Sequence, residues 1–299
     1  MIRYDPHSWF DHFFDIRGTL LVEIFVRVMA CVAWSVGVVY WHHHVSPVAI
    51  PVTIHSLVGV ALGLLLVFRT NASYDRYWEG RKLWGSIVNE TRNLVRGAVT
   101  HLSTDRELVI RLVRWTAVFP YCVMSTLRGN SMIGPAAEEL SPEDRVELLK
   151  SQHLALHAAQ QMAAALKSAY DRQLITDNLN VALDQNIQQL IDALGGCERI
   201  RKTPLPFAYI VHLRRALVIY CFTLPFALVD QFGWFTVLDT ALVAYTFFGI
   251  EEIGVEIEGP FGHDENDLPL KEICDTIFKN VYAMADLMEI PRDLDVQGL

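Results

Sequence analysis

Glu251, Glu252, Glu256 and Glu258 follow directly on an apolar run. Carboxylates at the end of a membrane segment could ring a pore mouth and favour cations. The competing reading is a wet helix face near a subunit contact. His42-His43-His44 offers the imidazole ligands of a transition-metal site. Adjacent residues on one helix or strand cannot all face one ion, and no Cys or carboxylate is near in sequence, so a loop is expected and no metal. His55 is the sole ionisable residue of a second apolar run; it should face protein or water. A hydrogen-bonded neutral histidine is expected there, with pH sensitivity as the alternative. In the same run Val60, Leu64 and Phe68 stand at i, i+4 and i+8, one stripe of a helix. Gly59, Ala61 and Gly63 beside them would allow close helix approach in lipid. Copies of such a stripe around an axis would form an apolar constriction that gates by dewetting; the alternative is an ordinary lipid-facing or core-facing stripe. No nucleotide loop, Ser-His-Asp set or paired-carboxylate motif is present, so no catalytic residue, enzyme activity or cofactor is expected.

These residues need elements that live in two solvents. The chain has 299 residues, 52 % of them hydrophobic, and a mean hydropathy of +0.25. Lys and Arg are absent from Val28 to Phe68 and again from Ala216 to Leu270. A soluble fold seldom keeps such stretches clear of cations, because its helices need a wet face; a bilayer-spanning helix needs about 20 mostly apolar residues. The reading is an all-α, polytopic membrane protein with a large aqueous part. Residues 1–17 mix Trp9, Phe10, Phe13 and Phe14 with Asp11, His12 and Asp15, as an interfacial helix would, and not as a cleavable signal. Spans are expected at 18–41 and 48–68, then 207–229 and 233–250 around a DQFG break. Glu23 and Arg27 are spaced to pair on one face. The second span should continue past Phe68 as a charged helix, with Tyr74, Tyr77 and Trp78 as an aromatic belt. The segment 107–128 carries Arg111 and Arg114 and should be partly buried in protein. Between 140 and 195, SPEDRVELL reads as a capped helix start, AAQQMAAALKSAY as helix, and LDQNIQQLIDALGG as an amphipathic helix with a Gly–Gly stop.

The 42–50 and 230–233 connections hold no Lys or Arg, whereas Arg69, Arg76, Arg81, Lys82, Arg92 and Arg96 follow the second span. The positive-inside rule then puts both termini and the 69–202 body in the cytoplasm. A net charge of −9 with no basic stripe argues against nucleic acid as a partner. The five cysteines form no C-x-x-C pair and are read as reduced thiols.

FRTNASYDRYWEGRKLWG (68–85), GGCERIRKTPLPFAY (195–209), LPFALV (224–229) and EIEGPFGHDENDLPL (256–270) together resemble the bestrophin family, particularly its bacterial members. The resemblance covers essentially the whole chain as one bestrophin domain, 1–299: membrane helices in 18–68 and 203–255, a mainly cytosolic helical body in 69–202, a cytosolic tail in 256–299. It implies a homopentameric ion channel of the inner membrane, with four membrane helices per subunit around one axial pore. It implies a neck on Val60, Leu64 and Phe68, where the stripe had already been found, and a cytosolic aperture at Asn178, with Ile175, Leu179 and Val181 as alternatives. Asp264 and Asp267 fall on positions like those of a calcium clasp, but His263 and Asn266 replace acids, and Ca²⁺ wants six to eight oxygens with several carboxylates; a solvated acidic turn capping the next helix is expected instead. Partners implied are further copies of the chain, inorganic monovalent ions and lipid. The net charge, the acidic stretch after residue 250, Glu251 and Glu252 included, and polar Asn178 lean the sequence reading towards Na⁺ or K⁺ conduction. A chloride or bicarbonate channel is the alternative, and a non-conducting membrane scaffold the second.

Overall fold

The computed structural model describes residues 20–130 and 133–286. The expected interfacial segment, residues 1–17, lies outside them. Every regular element among the described residues is helical. In chain order they are α1 (Leu21–His44), α2 (Val52–His101), α3 (Arg106–Arg128), a 3₁₀ turn (Pro135–Glu139), α4 (Pro142–Lys150), α5 (Leu154–Asp171), α6 (Asp177–Lys202), α7 (Phe207–Phe232), a 3₁₀ turn (Gly233–Phe235), α8 (Thr236–Glu256) and α9 (Leu270–Met284).

Local chemistry sets most boundaries. Asp105 opens α3 by accepting from Leu108 N at 3.1 Å, and Gly129 closes it at φ +69°, a left-handed conformation that costs glycine little. Ser141 caps α4 by accepting from Asp144 N, with Pro142 at the first helical position. Gly233, at φ +54°, separates α7 from α8.

Two boundaries depart from expectation. The histidine triplet is the last turn of α1 rather than a loop. There His42 Nδ1 accepts from Val48 N at 3.3 Å and His44 stacks on Tyr40. Helix α6 runs through Gly195 and Gly196 to Lys202 instead of stopping. A Cβ at Gly196 would stand 2.8 Å from Leu83 Cδ2, so this glycine serves a close helix contact and not a cap.

The chain forms two compact units, residues 1–78 with 203–267 and residues 79–202 with 268–299. In the first, Ile24 of α1, Leu62 and Leu66 of α2, Leu213, Leu217 and Cys221 of α7, and Ala244 and Phe248 of α8 make one buried cluster. Its outward side chains are also apolar: Phe25, Val26, Leu57, Phe207, Leu238 and Leu242 are all exposed. Helices greasy on both faces suit lipid as the solvent. In the second unit α3 is almost wholly enclosed, packing on α5 and α9. Tyr121 Oη donates to Asp275 Oδ1 at 2.6 Å, and Thr116 Oγ1 lies 3.3 Å from Met162 Sδ.

Four stretches among the described residues are long and apolar enough to cross a membrane: Leu21–His44, Val52–His101, Arg106–Arg128 and Phe207–Glu256. The apolar window of Arg106–Arg128 is 78 % buried in protein, against 17–33 % for the others. That fits the partly buried helix expected at 107–128. Phe207–Glu256 is the expected last pair, α7 and α8, split at Gly233.

Candidate functional site

Val60, Leu64 and Phe68 lie on one exposed face of α2, at 75 %, 54 % and 57 % exposure. The opposite face supplies Leu62, Leu66 and Arg69 to the interior. One helix therefore separates a packed side from an apolar side with no partner among the described residues. Its orientation is fixed at several points. A Cβ at Gly59 would meet Tyr220 Oη of α7 at 2.7 Å, so glycine lets the tyrosine ring lie close against α2 there. His55 Nε2 is 2.9 Å from Thr223 Oγ1. The threonine hydroxyl donates to Ile219 O at 2.7 Å and so accepts from the histidine, as a hydrogen-bonded core residue would. Tyr209 Oη donates to Leu65 O at 2.9 Å.

Directly after the stripe comes an ion cluster whose centre, Arg69 with Glu251, is buried and whose outer arginines, Arg27 and Arg214, are about half exposed. Arg69 is 1 % exposed, and its Nη1 donates to Glu251 Oε1 at 2.7 Å. Arg214 Nε of α7 donates to the same oxygen at 2.8 Å. Arg27 of α1 reaches Glu252 at 2.6 Å and the other Glu251 oxygen at 3.5 Å. Glu258 approaches Arg69 Nη2 at 3.8 Å and accepts from Leu205 N at 3.0 Å. Three arginines thus face three carboxylates, and the cluster is formally neutral. Glycine at 254 makes room for it, since a Cβ there would lie 3.1 Å from Arg69 Nε. For the buried pair of Arg69 and Glu251, removing one partner costs about 3–5 kcal/mol, because a charge is left uncompensated; the half-exposed Arg27 and Arg214 contribute less.

This arrangement corrects two expectations. Within the described residues Glu251 and Glu252 are not carboxylates on a wet face but are 2 % and 8 % exposed and held by arginines. Arg27 pairs across to α8 rather than with Glu23 one turn away. Sequence spacing within one helix could not show the cluster. A signal was nonetheless present: Arg27 and Arg214 lie near the starts of apolar segments, and Arg69 and Glu251 directly follow the ends of the segments next in line, so each antiparallel pair brings its two charged ends to one side.

Asn178 is exposed in the first turn of α6, where Thr176 Oγ1 accepts from Leu179 N at 3.4 Å. Of the alternatives Ile175 is buried, Leu179 is half-buried and Val181 is 67 % exposed. In the acidic loop, Asp267 is 4 % exposed and accepts from Asp264 N at 2.8 Å. Its carboxylate folds the turn from within, while Asp264 faces solvent. No cluster of three or more His, Cys, Asp or Glu able to hold a metal occurs among the described residues.

The helices, the lipid-suited exterior and the ionic tie between them define a polytopic helical membrane protein. Residues 1–283 match the family model described as Bacterial/Fungal Bestrophin protein. The chain is 41 % identical over 293 residues to a voltage-dependent anion channel-forming protein of Nostoc sp., covering 96 % of this chain and 95 % of that one. It is 34 % identical over 297 residues to voltage-dependent anion channel-forming protein YneE of Escherichia coli (strain K12), covering 98 % and 97 %. Its fold is similar to a crystal structure of a bacterial bestrophin homolog from Klebsiella pneumoniae, with a TM-score of 0.84 and 30 % identity, covering 89 % of this chain and 99 % of that chain. The chain belongs to the bacterial/fungal bestrophin family, a family of ion channels.

Proposed function

We propose that the chain is one subunit of a passive, homopentameric channel that conducts anions such as chloride or bicarbonate. The observation that carries the channel reading is the exposed stripe of Val60, Leu64 and Phe68 on a helix whose opposite face packs Leu62, Leu66 and Arg69 into protein. Repeated about an axis, it forms an apolar neck. Asn178 lines a second, polar aperture. Residues 18–68 and 203–255 supply the membrane helices of a single domain. The body, 69–202, and the tail, 256–299, lie in the cytoplasm with both termini, in a bacterial inner membrane. Lipid, monovalent ions and further copies of the chain are its partners.

The sign of the ion follows from a change in the charge account. The lean towards cations rested partly on Glu251 and Glu252. Their pairing with Arg27, Arg69 and Arg214 withdraws them as a free negative field. The relatives' names, anion channel-forming proteins, support the anion reading. Asp264 and Asp267 are assigned no calcium; Asp267 is a turn-forming acceptor.

The test is the reversal potential of the purified protein in a planar bilayer under a NaCl gradient. A value near the Cl⁻ equilibrium potential is expected. A value near that of Na⁺ would restore the cation reading. Absence of current in both the native protein and Leu64→Ala would favour the scaffold.

A further inference from the structure

We infer that Glu251 is the hub of an ionic latch that positions Phe68 in the neck, acting through Arg69. The inference rests on the pore reading above and adds a positioning role that the stripe does not contain.

Glu251 is the only point in the cluster where arginines of three helices meet: Arg27 of α1, Arg69 of α2 and Arg214 of α7. Its own helix is α8. A single carboxylate therefore ties all four helices of the first unit. Successive helix residues are about 100° apart, so the direction of Arg69 fixes that of Phe68. With Arg69 drawn inward to Glu251, Phe68 is turned to the exposed side. Arg69 has little else to hold it: Glu258 is 3.8 Å away, and Arg69 Nε is buried with no hydrogen-bond partner among the described residues. An apolar contact would tolerate rotation of α2. The directional bond from a guanidinium to a carboxylate does not, and burial at 1 % and 2 % exposure shields it from water and salt. Closure of a dewetting gate depends on the placement of its rings, so loosening the latch should leak ions through the neck.

The experiment is a double-mutant cycle on the full-length channel in planar bilayers, with oligomeric mass and thermal stability recorded for each variant. Glu251→Gln keeps the size and removes the charge. Its mean current per channel should rise at least threefold at fixed voltage. Phe68→Ala should raise current on its own, and Glu251→Gln should add little in the Phe68→Ala background, because the latch acts through that ring. If the two effects multiply independently, or if assembled Glu251→Gln conducts as the native protein does, the latch is overturned. If Phe68→Ala changes nothing, the failure lies in the pore reading and the latch falls with it. Should Glu251→Gln not assemble, Arg69→Met with Glu251→Met removes one charge of each sign. It keeps Arg27 with Glu252 and leaves two charges of each sign in the cluster, Arg27 and Arg214 with Glu252 and Glu258, still neutral. That pair should show the same rise in current, and native current in it would overturn the proposal.

Discussion

Glu198 of α6 shows how a single side chain makes part of the fold depend on pH. Burial raises its carboxyl pKa, but hydrogen bonds from His153 and Lys202 outweigh this and leave it below the ordinary value. His153 Nε2 meets Glu198 Oε1 at 2.7 Å, and Lys202 Nζ meets Oε2 at 3.2 Å. The same imidazole caps α5, its Nδ1 accepting from Leu156 N. A carboxyl depressed in the folded state stabilises it above the unfolded carboxylate pKa of about 4.3, and that contribution is lost as pH falls through the folded value. Glu198→Gln should therefore leave stability near pH 7 lower and flatten its decline between about pH 5 and 3. Thermal unfolding of both proteins across that range measures this; parallel acid limbs would show that Glu198 does not contribute. Cys197, next to it, is fully buried, and burial first, then Glu79 and Glu198, pushes its thiol up to about 12. Folded protein at pH 8 should leave Cys197 unmodified by a thiol reagent, with labelling appearing on denaturation.

Helix α6 separates two glycines that the sequence presents as one motif. Gly195 has nothing within 4 Å of an added Cβ, whereas at Gly196 that atom would meet Leu83 at 2.8 and 2.9 Å. Gly195→Ala should stabilise by about 0.5–1 kcal/mol, since alanine loses less backbone entropy in a helix. Gly196→Ala should destabilise by about 1–3 kcal/mol as Leu83 is displaced. Denaturation midpoints of opposite sign check the pair; two stabilised variants would mean Leu83 swings away freely. The example marks what was legible in the sequence. Helix type and rough extent followed from apolar runs and caps such as Ser141, because those signals are local. The fate of Gly–Gly was not legible, because a helix stop and a close crossing use the same residue, and the partner, Leu83, lies more than a hundred positions away. Glu251 failed for the same reason. Its acidity was plain, but its burial depends on arginines brought from three other helices. The Val60–Leu64–Phe68 stripe was legible because all three residues share one helix, and only its exposed direction had to come from the structure.

For the whole molecule, the stripe leaves a problem that one chain does not solve. Val60, Leu64 and Phe68 are exposed, and Gly63 beside them meets nothing within 4 Å. Lipid could cover such a face, as it covers Phe25 and Leu238. Yet this same helix continues through charged residues to His101, and its other side holds the buried ion cluster. The homopentamer proposed above would resolve this by turning the face inward, so that each residue becomes a ring. The mass of the purified protein in detergent should then be five times the 33.9 kDa of the chain. In that proposed pore Leu64 is the middle ring, and its size should set conductance once the assembly is intact. Leu64→Phe adds bulk towards the axis and should lower single-channel conductance severalfold; Leu64→Ala widens the ring and should raise it, with the pentameric mass unchanged in both. Lipid coverage predicts otherwise: Phe and Ala would be nearly equivalent to Leu in hydrocarbon, and neither would alter current. Equal conductance in the three proteins, at equal mass, would remove Leu64 from the pore and return the stripe to the bilayer.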